Sequence, residues 1–374
     1  MKKFVFTSVF SLVALALQAQ INVGPYLQAV SENSFTVVWD TVDEAVAWVE
    51  VAPDDGTHFY NTDRTKFFQT TLGKKSVGTH HVVKVDGLER ATTYRYRIMC
   101  RSVKESDGQG KVHYGKSYGS DVYRKQPLRV TTLDPGRDSV FFAVANDYHG
   151  HPEVLEKHLS DAAGAGYDFV FFNGDMTSQI NSHKEIVENY IDVAARTFAS
   201  QTRWYLSRGN HENRGVASYG FLDWFPTVSG NAYYTFRQGP VMFMVLDPGE
   251  DKPDTDIEYG GLGVFDGYRS QQAQWIAQAI ESEEWKQAPV HVVFCHMPPE
   301  NGGWHGPQEL FDKFVPLLNR AGVDLMICGH THRFSYIEKG TDGVDFPILI
   351  NPNLTLLQMT VHRDGSFHYK MKNN

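Results

Sequence analysis

An all-β sandwich followed by a layered α/β/β/α sandwich is the architecture that this 374-residue chain predicts. Three observations carry it. From residue 21 to 133, short apolar–polar alternations recur between Gly, Asp and Pro clusters. From Ser139 onward, wholly apolar runs of strand length alternate with segments whose apolar residues recur every three or four positions. The tail then returns to strand-like runs. The composition, 41% hydrophobic and 21% charged, is that of a soluble globular protein with ample material for two cores.

The first stretch has its own signature. Lys2 and Lys3 precede an uncharged apolar run over residues 4–17, and Ala19 supplies the small residue before a cut. Residues 1–19 therefore read as a secretory signal peptide, too short for a comfortable transmembrane helix. An exported chain, periplasmic or secreted, beginning near Gln20 is the expectation, and no later run is long and apolar enough to span a bilayer.

Residues 20–133 form the β domain. Phe35, Val37 and Trp39 share one face of a strand over residues 34–39. Strands follow at 47–51 and 81–85. Tyr94, Tyr96 and Ile98 alternate with Arg95 and Arg97 in a strand over 93–98. Residues 102–118, rich in Lys, Gly, Ser and Asp, read as a long polar hairpin. The turn-forming trio Asp134-Pro135-Gly136 marks the boundary, and residues 138–374 form the second domain.

In that domain, residues 140–145 form an apolar strand, and 152–165 a helix with Pro152 in its first turn. A second strand covers 168–172. A helix follows over 182–199, capped by Ser182 with Glu185 three residues on. Residues 203–206 form a strand, and 233–237 with 240–246 a hairpin across Gln238-Gly239. Helices at 270–285 and 308–321 alternate with strands at 290–294 and 323–327. Residues 348–350, 354–361 and 367–371 complete the strand set.

Chemistry concentrates where five of these strands end: Asp147-Tyr148-His149-Gly150, Gly174-Asp175, Gly209-Asn210-His211-Glu212, Cys295-His296 and Gly329-His330-Thr331-His332. In open α/β sheets, ligand groups gather outside the carboxyl ends of strands. Imidazole together with carboxylate suits Zn, Fe or Mn. The set offers more ligands than one ion needs, and two ions sharing a carboxylate explain the excess. A net charge of −9 argues against a general nucleic-acid or anionic-membrane surface, and no nucleic-acid duplex is an expected partner. Bound cations would offset that charge for an anionic substrate. Cys100, Cys295 and Cys328 read as small buried hydrophobes. His211-Glu212 is no zinc-peptidase signature, because Gly215 stands where the second His would be.

The ordered series D-x-H, G-D, G-N-H-E, H, G-H-x-H resembles that of the calcineurin-like metallophosphoesterases. The resemblance covers most of residues 139–374 and implies their four-layer α/β/β/α metallophosphoesterase sandwich. Upstream, Trp39, Leu88, Thr92 and Tyr94 resemble the core Trp and corner of a fibronectin type III module, with Arg90 at the usual proline. Gly24-Pro25-Tyr26-Leu27-Gln28 resembles the opening of the N-terminal module of purple acid phosphatases.

The resemblance implies roles. Asp147, His149, Asp175 and His332 would hold one ion. Asp175, Asn210, His296 and His330 would hold a second, with Asp175 bridging. The implied function is hydrolysis of a small-molecule phosphomonoester by attack of a metal-bridging hydroxide. Asn210 and His211 would contact the substrate, and His211 would assist the leaving group. Glu212 would orient His211 or lie on the surface. A phosphodiesterase or nucleotide-hydrolysing activity at the same site is the alternative, and a non-catalytic surface binding protein a more distant one. Gly174-Asp175-Met176-Thr177-Ser178 lacks the Tyr of the purple enzymes, and Asn146 precedes Asp147 where Ser or Gly is common. Three stretches are candidates for the pocket wall: 219–225, 247–251 and 301–305. In the last, Trp304 and His305 would touch the leaving group or simply pack the loop.

Overall fold

The computed structural model describes residues 21–107 and 109–373. The predicted signal peptide lies outside them. The chain divides into two compact units. One runs up to Thr132, and the other comprises 133–198 and 202 onward, with 199–201 grouped with the first.

The first unit is all β: β1 (Ile21–Gln28), β2 (Phe35–Pro53), β3 (Thr65–Phe68), the short β4 (Thr70–Thr71) and β5 (Lys74–Lys75), β6 (Val77–Val85), β7 (Thr93–Ser106), β8 (Val112–Gly119) and β9 (Leu128–Thr131). The strands expected at 34–39 and 47–51 are one long β2, which pairs antiparallel with β1, β3, β6 and β7. An irregularity between Asp40 and Ala45 lets it bend between two sets of partners. The hairpin expected over 102–118 is the β7–β8 pair. Trp39 is fully buried and its Nε1 donates to Cys100 Sγ at 3.1 Å. Tyr94 OH accepts the Glu89 amide at 3.0 Å, so the corner forms with Arg90 in place of proline.

The second unit holds two sheets. Strands β10 (Ser139–Asn146), β11 (Phe169–Asn173), β12 (Trp204–Ser207), β19 (Thr355–His362) and β20 (Phe367–Lys372) make one, in the order β12-β11-β10-β19-β20. Strands β13 (Tyr234–Gln238), β14 (Val241–Leu246), β15 (Val290–Cys295), β16 (Leu325–Cys328), β17 (Ser335–Ile337) and β18 (Ile348–Ile350) make the other, in the order β13-β14-β15-β16-β18-β17. Their inner faces meet through aromatic rings. Phe171 stacks on Phe294 at 3.8 Å, and Phe142 meets Phe243 edge-on at 5.5 Å. The other face of the second sheet, including Met242, Met244, Val293 and Met326, packs against Ile276, Leu310, Phe314 and Leu318 of two helices. Both faces of β14 and β15 are thus covered, which is why β14 reads as an unbroken apolar run and β15 as one interrupted only by His291. Cys295 and Cys328 are buried, free thiols in that layer.

Several helix limits differ from expectation for local reasons. The first helix, Pro152–Leu159, stops before the Gly-containing turns at 160–166. The helix expected at 182–199 starts with a complete Ser182–Glu185 capping box but carries a π segment at Val187–Ile191. The helix expected at 270–285 begins earlier, at Phe265, where the Asp254 carboxylate accepts the Phe265 amide at 2.7 Å. It ends at Ala279, and Ser282 caps a separate turn, Glu283–Lys286. The helix expected at 308–321 spans His305–Arg320, so the last residue of the proposed loop is helical.

Candidate metal centre

The first three of the five blocks follow β10, β11 and β12, which run parallel in one sheet. The last two follow β15 and β16, parallel in the other. Right at the strand ends the backbone turns into the left-handed region at Asp147 (φ 56°), His149 (46°), Asp175 (53°), His330 (70°) and His332 (60°). Such a conformation costs a non-glycine residue about 1–2 kcal/mol and persists only where its surroundings fix it. The blocks fix one another. The Asp147 amide donates to Gly174 O at 3.0 Å, the His149 amide to Asp175 O at 3.0 Å, and the Gly329 amide to His296 O at 2.8 Å. The turns also bring both rings of His330-x-His332 to the carboxylates, His332 to Asp147 and His330 to Asp175. Gly209 and Gly329 are required by crowding. A Cβ at Gly209 would overlap the Asp175 carboxylate, and one at Gly329 would fall 2.5 Å from Asp147 Oδ2.

The side chains form overlapping clusters: Asp147, His149 and His332; His149, Asp175 and His211; Asp175, His296 and His330. His332 Nε2 lies 3.2 Å and His149 Nε2 3.7 Å from Asp147 Oδ1, and the two Nε2 atoms are 3.1 Å apart. His296 Nε2 stands 3.0 Å from Asp175 Oδ2 and 3.9 Å from Asp147 Oδ1. Asn210 Oδ1 lies 3.0 Å from His330 Nδ1.

These residues fit a cation. Asp147 Oδ1 and His296 Nε2 are fully buried, and neither makes a well-formed hydrogen bond. Polar atoms so placed carry a large desolvation cost unless something satisfies them. His296 Nδ1 faces the Asn173 carbonyl at 2.7 Å, which can only accept, so Nδ1 carries a proton and Nε2 is the nitrogen left facing the carboxylates, free to take a metal ion in place of a second proton. Burial opposes charge on His296, yet Asp175 and then Asp147 push its pKa up to about 10, a measure of how negative this spot is. Burial likewise opposes the Asp147 carboxylate. The His296 charge, the nearby His149 and His332 rings and the Asn146 hydrogen bond outweigh it and hold the group below the usual carboxylate range.

His211 belongs to the cluster but is turned differently. Its Nδ1 donates to Ser178 O at 2.8 Å, and its Nε2 stands 3.9 Å from Asp175 Oδ2. Glu212 neither orients it nor lies on the surface. Glu212 is buried, Oε2 accepting the Asp175 and Gly209 amides and Oε1 the Met176 amide, each at 2.8 Å. Burial and the Asp175 charge push its carboxyl up to about 7, against the pull of those amides. One side chain therefore ties the second block to the third.

Other supports carried no motif. Asn146 Nδ2 donates to Asp147 Oδ2 at 2.7 Å, and Asn351 Nδ2 to Asn146 Oδ1 at 2.6 Å. Asn173 links the loops through Ser207 Oγ at 2.7 Å and Ile327 O at 3.1 Å. A polar side chain within an apolar strand, as at Asn146 and Asn173, was the signal available.

The proposed pocket-wall stretches fare unevenly. Phe221, Trp224 and Phe225 are core, while Tyr219 is 81% exposed. Asp247, Glu250 and Asp251 are buried and form ion pairs, Asp247 with Arg208 and the other two with Arg214. His305 stands apart from these overlapping clusters, in a separate group with Asp266 and Glu309. Its Nε2 is held by Asp266 at 2.8 Å, while Trp304, at the N-cap, is 64% exposed.

Comparison with known proteins gives this geometry a family. Residues 142–334 match calcineurin-like phosphoesterases, and residues 22–117 match the purple acid phosphatase N-terminal domain. Purple acid phosphatase 18 of Arabidopsis thaliana is 22% identical over 86% of this chain and 68% of its own length. Probable purple acid phosphatase 20 of the same plant is 25% identical over 70% of this chain and 62% of its own. The chain thus spans about two thirds of these relatives. The structure of purple acid phosphatase PPD1 from yellow lupin (Lupinus luteus) seeds aligns with a TM-score of 0.61 over 93% of this chain and 73% of that one, at 14% identity, which speaks to the fold. The chain belongs to the calcineurin-like phosphoesterases, metal-dependent hydrolases of phosphoric esters, and carries ahead of that domain the N-terminal domain of purple acid phosphatases.

Proposed function

We propose that this protein is an exported phosphomonoesterase working with two transition-metal ions, drawn from Fe, Zn and Mn. Asp147, His149, Asp175 and His332 hold one ion, and Asp175, Asn210, His296 and His330 the other. The observation that supports this most is the overlap of the ligand clusters at Asp175, with a buried, unsatisfied Asp147 Oδ1 and His296 Nε2 beside it. Two bound ions supply the charge that draws phosphoryl oxygens and acidify the attacking water.

The chain's own residues supply the rest. The Asn173 carbonyl fixes the His296 ring, and the Glu212 carboxylate fixes the backbone that aims Asp175 and Asn210. With Nδ1 of His211 committed to Ser178 O, the proton it can give the leaving oxygen is on Nε2. His149 stands in the first block, and Ser178 where the purple enzymes have Tyr, which favours a centre without tyrosinate. Lys2, Lys3 and the apolar run behind them favour export.

Elemental analysis of protein purified without chelator tests the metal assignment, with about two ions per chain expected. Turnover of an aryl phosphate, a bis-aryl phosphate and nucleotides tests the substrate class. A metal content near zero under replete conditions, or no hydrolysis of any of them by metal-loaded protein, would sink the proposal.

A further inference from the structure

Arg214 lies three residues past His211 and outside the ring of metal ligands. Its backbone is held, the amide donating to His211 O at 3.1 Å and the carbonyl accepting the Ile180 amide at 2.8 Å. One edge of its guanidinium is fully used. Nε meets Glu250 Oε1 at 3.0 Å and Nη2 meets Glu250 Oε2 at 3.1 Å, a two-point fork. Nη2 also reaches Asp251 Oδ1 at 3.4 Å. Glu250 is fully buried and takes a further bond from Tyr259 OH at 3.1 Å, so the fork has a fixed anchor.

The opposite corner of the guanidinium is different. Nη1 has no carboxylate partner and points to His211 Nε2 at 3.5 Å, a long contact. That is the same nitrogen that faces the metal-ligand cluster, since Nδ1 is committed to Ser178 O. Arg214 thus aims spare N–H donors at the position where His211 would meet a phosphoryl group. A planar, permanently charged fork held on one edge is the arrangement that binds an oxyanion with the other.

We infer that Arg214 is a substrate-contacting residue whose Nη1 donates to a non-bridging phosphoryl oxygen beside His211, and that it selects monoesters over diesters. The inference rests on the phosphoesterase reading above. A phosphomonoester carries three non-bridging oxygens and a diester two. A donor outside the metal-ligand ring has an oxygen to itself only in the monoester. In the diester the corresponding position holds an esterified oxygen, a poorer acceptor bearing a bulky group.

The test uses full-length, metal-loaded protein. Arg214→Lys keeps a charge for Glu250 but cannot fork and also reach past it. Arg214→Gln strands the Glu250 carboxylate, so the pair R214Q/E250Q, which removes both charges together, guards against misfolding. Binding of inorganic phosphate by calorimetry, metal content, and kcat/KM on an aryl phosphate and a bis-aryl phosphate are measured for each. Wild-type metal content is expected, with phosphate bound about 10–100-fold more weakly, the effect of losing one charge-assisted hydrogen bond. Monoester kcat/KM should fall by a similar factor, and diester kcat/KM by less than about threefold. Unchanged phosphate affinity in these variants, or equal loss on both esters, would overturn the inference and leave Arg214 as a brace for the 250–259 segment. A wild type that hydrolyses neither ester counts against the phosphoesterase reading, while the phosphate-binding comparison still decides Arg214.

Discussion

Glu212→Gln is the substitution that most directly tests how the centre is built. The carboxylate accepts three backbone amides, two on Oε2 and one on Oε1. Glutamine keeps one acceptor. Placed at the Oε2 position, its oxygen retains the bonds from Asp175 and Gly209, and its NH2 then faces the Met176 amide, donor against donor. The loss is one charge-assisted bond plus an unsatisfied buried donor, about 1–3 kcal/mol. That cost falls on the turn that places Asp175 at φ 53° and on Gly209, the residue before Asn210. Metal affinity should therefore weaken about 10–100-fold, the range for partners that orient ligands. Turnover at saturating metal should change only a few-fold, because no reacting group is altered. Competition with a chromophoric chelator measures the affinity, and activity against free metal concentration separates binding from chemistry. Unchanged affinity in Glu212→Gln would show that the second and third blocks hold their positions without this side chain, and the argument would fail.

Two further predictions concern histidines, one pair at the same centre and one residue in the first unit. His211→Ala should keep its metal and lose about 10²–10⁴ in turnover, less on an aryl than on an alkyl phosphate, whereas His332→Ala should lose metal and activity on both alike. A metal loss in His211→Ala would make His211 a ligand. In the first unit, burial, with the His80 charge adding to it, pushes the pKa of His81 down to about 4. The unfolded chain therefore binds this proton more readily. The stability is full above the unfolded pKa of about 6.5 and is lost as pH falls toward 4, about 3 kcal/mol in all. Urea unfolding of the wild type and His81→Asn at pH 7.5 and 5 should show the wild type losing more, and parallel losses would refute it.

What was legible in the chain was the chemistry at strand ends, because each apolar run stops in a His, Asp or Asn that a core would not tolerate alone. The layer order was legible for a related reason: β14 is apolar at every position and β15 at all but His291, so both of their faces had to be covered. Helix limits were less so. Asp254 caps a helix eleven residues downstream by folding back on it, and that contact has no periodic signature. Glu212 was open to misreading because a carboxylate beside a His looks like its partner, whereas three amides from two separate blocks claim it. His305 was read as a loop residue because Gly-Gly-Trp-His has no helical period, yet it starts a helix and its ring meets Asp266.

The centre joins strained backbone to repelling charge, and this bears on how metal and fold are coupled. Five of the proposed ligands sit at left-handed φ, and Asp147 and Asp175 face one another's field across His296. The Glu212, Asn146 and Asn173 hydrogen bonds oppose that strain, and a cation that binds the assembled site but not the unfolded chain adds about 4 kcal/mol at a thousandfold excess over Kd. Removing it should therefore open the turns before the sheets. The strands behind them are buried on both faces and joined by regular ladders, whereas the turns are held by single bonds such as the Gly150 amide to Met176 O at 2.9 Å. On chelation, hydrogen exchange should quicken first at the amides of 147–150 and 329–332 and leave β10 and β16 protected. Uniform loss of protection across both sheets would mean that the metal stabilises the whole unit globally, and the local account of the strain would be wrong.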